Sequence, residues 1–186
     1  MIGPDPYATH QPLLMLAVAN TKGPILELGA GHYSTPLLHA FSRYRGLITL
    51  DSDADWLERF SPLDDNHRHT LLLVRDWTED LKRHFTERTP SVERIALCFV
   101  DQSPAEARGP SIEILRPIVD VFVCHDTQTK DVDHTAECDP NGYVILDTFQ
   151  YRLDDTRNPR TSIVSDTIDI RQPFAFDLRE NGLSGV

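Results

Sequence analysis

Five short apolar runs punctuate this chain: Ile25–Leu28, Leu47–Leu50, Thr70–Val74, Ile95–Val100 and Val121–Cys124. Each is nearly continuous in apolar character, which marks a strand covered on both faces. Between them the apolar positions take helical spacing, at about Thr35–Phe41, Ala54–Phe60, Thr78–Phe85 and Ala105–Ile118. Alternating strands and helices predict a parallel sheet with right-handed crossovers. The first helix carries a start signal. Thr35 can cap it, and Pro36 can take the first helical position, where a missing N–H costs nothing.

After Cys124 the pattern changes. HDTQTKDVDHTAECDPNG reads as a polar loop and Tyr143–Thr148 as a short helix. Phe149–Leu153 and Thr161–Ser165 then read as strands joined by DDTRNPR, the spacing of an antiparallel hairpin. The expected fold is therefore α/β: a Rossmann-like, doubly wound, mainly parallel sheet with a C-terminal antiparallel hairpin at its edge. With 186 residues the chain is expected to form one domain over 1–186. Residues 1–22 are an N-terminal segment, 23–170 the core, and 177–186 a polar tail expected to be mobile.

Composition narrows the partners. The net charge is −11, so a nucleic acid would meet repulsion where it normally gains from counterion release. No apolar run reaches membrane-spanning length, and MIGPDPYATHQ lacks the basic-then-apolar order of a secretory signal. Cys98, Cys124 and Cys138 have no metal-type spacing, and the first two fall inside predicted strands as free thiols. The expectation is a cytoplasmic protein with a small-molecule partner and no membrane.

In open α/β sheets ligands bind beyond the carboxyl ends of the strands. The residues there are Gly29, Gly31 and His32 after the first strand, Asp51 after the second, and Asp76 with Trp77 after the third. Asp101 follows the fourth, and His125 with Asp126 the fifth. Glycines at 29 and 31 permit unusual backbone angles and close approach of a ligand, although a glycine pair alone also fits a plain tight turn. Asp51 stands 24 residues beyond Glu27, about where a ribose-binding acid falls in such folds.

ELGAGHYSTPLL, LDSDADW, VRDW and FVDQSPAEARG together resemble the class I S-adenosylmethionine-dependent methyltransferases, over roughly residues 23–170. The resemblance is closest to small members with D-x-x-P-A-E-x-R after strand 4 and His-Asp-Thr after strand 5. It implies S-adenosylmethionine as cofactor and S-adenosylhomocysteine as product. Glu27 would position the methionine end directly or through water, Asp51 would bind the ribose hydroxyls, and Asp76 the adenine amino group beside Trp77. Gly29, Gly31 and His32 would line the cofactor, and Asp101 would border its methyl side. Two glycines then suffice because this cofactor has no pyrophosphate.

Methyl transfer is an in-line displacement at a sulfonium carbon, driven largely by alignment. A base helps when the acceptor is a hydroxyl. His125 is the expected base for O-methylation, with Asp126 to orient it and Asp101 alongside. No residue is assigned to a metal. A divalent cation between Asp101 and Asp126 is a secondary option, since Thr127 stands where a further ligand would be expected. Glu106 and Arg108 read first as the start of a surface helix, with Arg108 as an anion anchor the alternative. Tyr7, His10 and Gln11 lie on a segment that can cover the cofactor. Asp131, Asp133, His134 and Glu137 read as a solvated loop before they read as a metal cluster.

Two other functions stay open. One is a non-catalytic cofactor-binding or assembly module, its site completed by a second copy of the chain. The other is an NAD(P)-dependent oxidoreductase, disfavoured by the missing third glycine and the row of strand-end acids.

Overall fold

The computed structural model describes residues 6–65, 68–87, 94–127, 141–155 and 159–171. The predicted tail, Cys138, and the loop acids Asp131, Asp133 and Glu137 with His134 lie outside the described residues.

Seven strands form one sheet: β1 (Ile25–Leu28), β2 (Leu47–Asp51), β3 (His69–Leu73), β4 (Ile95–Val100), β5 (Val119–His125), β6 (Tyr151–Asp154) and β7 (Thr161–Ser165). Their order is β3-β2-β1-β4-β5-β7-β6. The first five pair in parallel, and β7 pairs antiparallel with both β5 and β6. The doubly wound sheet and its antiparallel closing hairpin are as the apolar runs predict. Strand order reverses between β1 and β4, so their carboxyl ends open the crevice where such sheets take ligands.

Among the described residues five α-helices accompany the sheet: α1 (Gln11–Asn20), α2 (Thr35–Phe41), α3 (Ala54–Glu58), α4 (Trp77–Leu81) and α5 (Arg108–Leu115). Tyr143–Thr148 forms the expected short helix in 3-10 geometry. Three helices are shorter than their patterns predict. α3 gives way to a 3-10 turn at Ser61–Leu63, and α4 widens into a π turn over Lys82–Thr86. α5 opens as a 3-10 turn at Ala105–Ala107 and ends before Pro117, which has no N–H to continue the helical ladder. The sequence reading did not predict α1, whose run Leu13–Val18 is apolar without a clear polar face.

The strands sort their side chains by alternation. Leu26, Leu28, Cys98, Val100, Phe122 and Cys124 face α4, α5 and the 143–148 turn. Ile25, Leu97, Phe99, Val121 and Val123 face α1 and α2. Phe99 and Phe122, the largest of these side chains, are sealed from solvent, each contributing about 1.5–3 kcal/mol by burial. β3 departs from two-sided cover: it is the sheet edge, and Leu73 is half exposed. Cys98 and Cys124 are buried free thiols, as expected, and burial pushes both above their ordinary pKa.

Candidate functional site

The loop after β1 sits at the strand-order reversal. Gly29 takes a left-handed backbone (φ 91°), and a Cβ there would fall 2.6 Å from the carbonyl oxygen of Asp101. Glycine is thus demanded twice at this position. Gly31 differs from expectation: its φ is not positive, and it makes room for the Ser34 hydroxyl, 2.8 Å from where a Cβ would stand.

Asp51 holds this loop. Its Oδ2 accepts from the Ala30 N–H at 2.8 Å and its Oδ1 from the Asp53 N–H at 2.9 Å. Burial raises the carboxyl pKa, and these N–H bonds offset only part of that rise. The Trp56 indole N–H, from α3, donates to the Ala30 carbonyl at 2.7 Å, so both backbone groups of Ala30 are engaged. His32 is exposed and turns its ring against Trp56 and Phe60, at 4.9 and 5.6 Å. It joins the α3 side of the cleft and not the His125 side.

Glu27 is fully buried. Thr35 donates to its Oε1 at 3.1 Å and Thr49 to its Oε2 at 2.6 Å, while the Thr35 hydroxyl accepts from Gly31 N–H at 2.8 Å. The acid therefore braces the loop from behind through Thr35. Thr35 itself is not the cap: Ser34 holds the cap position, and Thr35 begins the helix. Burial lifts the Glu27 pKa from 4.5 to about 7 against the hydroxyl bonds of Ser34, Thr49 and Thr35. The row continues outward. The Thr49 hydroxyl lies 2.9 Å from His69 Nε2, and His69 Nδ1 lies 3.1 Å from His39 Nδ1.

Beyond β3, Asp76 caps α4 by accepting from Glu79 N–H at 3.0 Å, its side chain exposed. Trp77 is buried and ties across the cleft to the Ser103 carbonyl at 2.9 Å.

The ends of β4 and β5 are bound together by Arg108. Its guanidinium donates to Asp101 Oδ1 and Asp126 Oδ2, both at 2.9 Å, and to the carbonyls of Gln102 (2.9 Å) and His125 (3.4 Å). Arg108 is buried, contrary to the surface-helix reading, and its donors are spent on the fold and not on a substrate anion. Asp126 takes a left-handed backbone (φ 59°) to meet it. The guanidinium occupies the space between Asp101 and Asp126, so this carboxylate pair does not fit a shared divalent cation. Glu106 is exposed, as expected.

His125 faces the N-terminal segment. His10 is buried, its ring 4.9 Å from both His125 and Phe99. Thr9 Oγ1 lies 3.2 Å from His125 Nε2, and Asp101 Oδ1 lies 3.3 Å from Nδ1. Burial opposes charge on His125, but Asp101 and then Asp126 outweigh it and raise the pKa. At His10 the same two carboxylates are outweighed, first by burial and then by His125, and its pKa falls to about 4. Gln11 donates to the Tyr33 carbonyl at 3.0 Å, fastening the start of α1 to the glycine loop, whereas Tyr7 is exposed.

The strand order 3-2-1-4-5-7-6, with its glycine loop at the reversal, decides the comparison. The fold is that of the class I methyltransferases. An O-methyltransferase from Bacillus cereus in complex with SAH superposes with TM-score 0.61 at 16% identity, over 89% of this chain and 83% of that one. The O-methyltransferase TomG from Streptomyces achromogenes, in complex with SAM, gives 0.59 at 15%, over 90% and 82%. The N-methyltransferase NodS from Bradyrhizobium japonicum gives 0.52 at 11%, over 83% and 91%. No family model and no curated protein matches the chain. In this methyltransferase fold the sequence reading matched β1, β4 and β7 and placed the ends of the other strands within two residues, but it missed Trp56 and the burial of Arg108. Neither carries a local signal. Both are recruited by residues distant in the chain. Among the described residues no helix is long and apolar enough to cross a membrane.

Proposed function

We propose that this chain is an enzyme that binds S-adenosylmethionine along the β1–β4 crevice and transfers its methyl group to an oxygen of a small-molecule acceptor. The observation that supports this best is the glycine loop. It is clamped between Asp51 and the Asp101 main chain, with Glu27 behind it, in a methyltransferase fold whose neighbours include SAM and SAH complexes.

In this reading Asp51 has a lone pair free on each oxygen for the ribose hydroxyls, and Ala30 and Gly31 face the methionine end. Glu27 and Trp56 act on the cofactor through the loop, as positioning residues. Asp76 and Trp77 flank the adenine. The acceptor oxygen attacks the methyl carbon as the carbon–sulfur bond breaks, leaving S-adenosylhomocysteine. The hydroxyl proton passes to His125, whose charged form the neighbouring Asp101 carboxylate favours.

Calorimetry with intact protein tests the cofactor. A single S-adenosylhomocysteine site per chain is the expected result, and at a hundredfold excess over Kd it stabilises the fold by about 2.7 kcal/mol. Absence of heat for both S-adenosylmethionine and S-adenosylhomocysteine removes the assignment. Binding of NADH in their place would transfer the site to hydride chemistry.

A further inference from the structure

We propose that His10, Asp101 and His125 form a binding site for one divalent ion of the zinc type. Their ligand atoms all lie within 4.8 Å of one another, one imidazole from the N-terminal segment, one from the end of β5, and a carboxylate from the end of β4. Two atoms bound to one zinc at 2.0–2.2 Å stand about 3.3 Å apart, so modest side-chain rotation closes the triad.

Unpartnered buried atoms point the same way. Among the described residues, the buried side-chain atoms without a hydrogen-bond partner are His10 Nδ1 and Nε2, His125 Nδ1, Gln102 Oε1 and Thr161 Oγ1. Three of the five belong to the triad. Gln102 follows Asp101, and Thr161 is the ladder partner of His125. Imidazoles this buried (His10 at 3% and His125 at 4% exposure) normally find a partner; His125 Nδ1 lies 3.3 Å from Asp101, and a His10 nitrogen lies within 4.8 Å of the same acid. A metal ion would take one lone pair from each imidazole, the His10 nitrogens having no partner and His125 Nδ1 having only the 3.3 Å contact to Asp101.

The surroundings are those of a ligand set. With the ion bound, His125 would donate Nε2–H to Thr9 and turn the Nδ1 lone pair to the metal in place of its present contact with Asp101. Arg108 fixes the Asp101 carboxylate by its Oδ1 and is itself held by Asp126. Two carboxylates and one guanidinium leave a local charge of −1, which favours a cation. Two nitrogen donors select zinc, cobalt or iron over magnesium, which prefers oxygen. Asp101, the partly exposed member, gives the ion its opening to solvent.

The site needs only this chain, so it stands or falls independently of the methyltransferase reading. Where that reading holds, the ion lowers the pKa of the acceptor hydroxyl, and His125 becomes its ligand in place of the base.

The test uses chelator-stripped full-length protein titrated with Zn2+ and with Mg2+. One equivalent of Zn2+ should bind, with Mg2+ giving no comparable heat. His10→Gln and His125→Gln should each weaken Zn2+ at least tenfold, while His84→Gln leaves it unchanged. No Zn2+ binding, or equal affinity in either triad variant, overturns the site. Should those variants fail to fold, Cu2+ bound to the wild-type chain provides the readout. Electron paramagnetic resonance should then count two imidazole nitrogens, and fewer than two overturns the proposal. S-adenosylhomocysteine binding to the stripped protein is measured in parallel, so loss of one reading is told apart from loss of the other.

Discussion

Gly29 lies against the main chain of Asp101, with no room between them for a single carbon. A Cβ on residue 29 would stand 2.6 Å from the Asp101 carbonyl oxygen and 2.7 Å from the Gln102 Cα, both backbone atoms that cannot rotate away. The first loop and the fourth strand end are therefore one rigid unit. Gly29→Ala should lower stability by about 1–3 kcal/mol through its left-handed backbone alone. It should also weaken S-adenosylhomocysteine binding at least tenfold. Gly31→Ala should be milder, since only the rotatable Ser34 hydroxyl opposes it. Thermal melts and calorimetry on both variants check the order; equal effects would refute it.

Asp51 has two tasks that one substitution separates. Asp51→Asn keeps an acceptor for one of the Ala30 and Asp53 N–H groups and leaves the other unpaired. Such a loss costs about 1–3 kcal/mol in the ligand-free protein. Because the ribose would lose a charged acceptor, S-adenosylhomocysteine affinity should fall further than stability does. Comparing the urea midpoint with the dissociation constant measures the difference.

Arg108 is the tie between two strand ends, and its removal leaves Asp101 and Asp126 facing each other. Arg108→Met should cost about 3 kcal/mol, the low end for breaking a buried pair, because the acids keep 27% and 32% side-chain exposure. Arg108→Lys should recover only part of this, since one ammonium cannot span two carboxylates and two carbonyls. Urea denaturation of the three proteins orders them.

Glu27 gives a pH signature of known sign. Its folded pKa, about 7, lies above the unfolded 4.5, so between these values the folded state holds the extra proton. Stability from this group is greatest below pH 4.5 and is lost as pH rises through 7, on the order of 3 kcal/mol. His10 and His69, both lowered to about 4, act oppositely, losing stability as pH falls below 6.5. Glu27→Gln isolates the acid. The stability of wild type relative to Glu27→Gln should decline between pH 5 and pH 8, and a flat difference would show that Glu27 is ionised throughout.

The strands were legible because burial on both faces writes itself as continuous apolar runs, and β1 and β4 match their runs end to end. The strand-end acids were legible for the same reason: Asp51 and Asp101 are the first residues after their runs, and Asp76 and Asp126 stand one position further on. What those acids do was less so. Asp51 grips the glycine loop after β1, Asp76 caps its own helix, and Asp101 is shared between Arg108 and His125. The Asp76 cap is local, but Asp51 reaches Ala30 across 21 residues and Asp101 reaches His125 across 24, beyond any short window of sequence. Helix α1 escaped notice because a run apolar on every side has no period to read. His10 follows from it, since α1 packed on β4 and β5 is what carries that imidazole to the strand ends.

The row of side chains behind the glycine loop has a polarity. While Glu27 is ionised, the single Thr49 proton points inward, so His69 must donate from Nε2 and accept at Nδ1 from His39. Protonating the carboxyl lets every bond in the file turn round. The state of an acid sealed in the core is thereby written on the tautomer of the half-buried His39 imidazole, three side chains away, where nitrogen chemical shifts can read it.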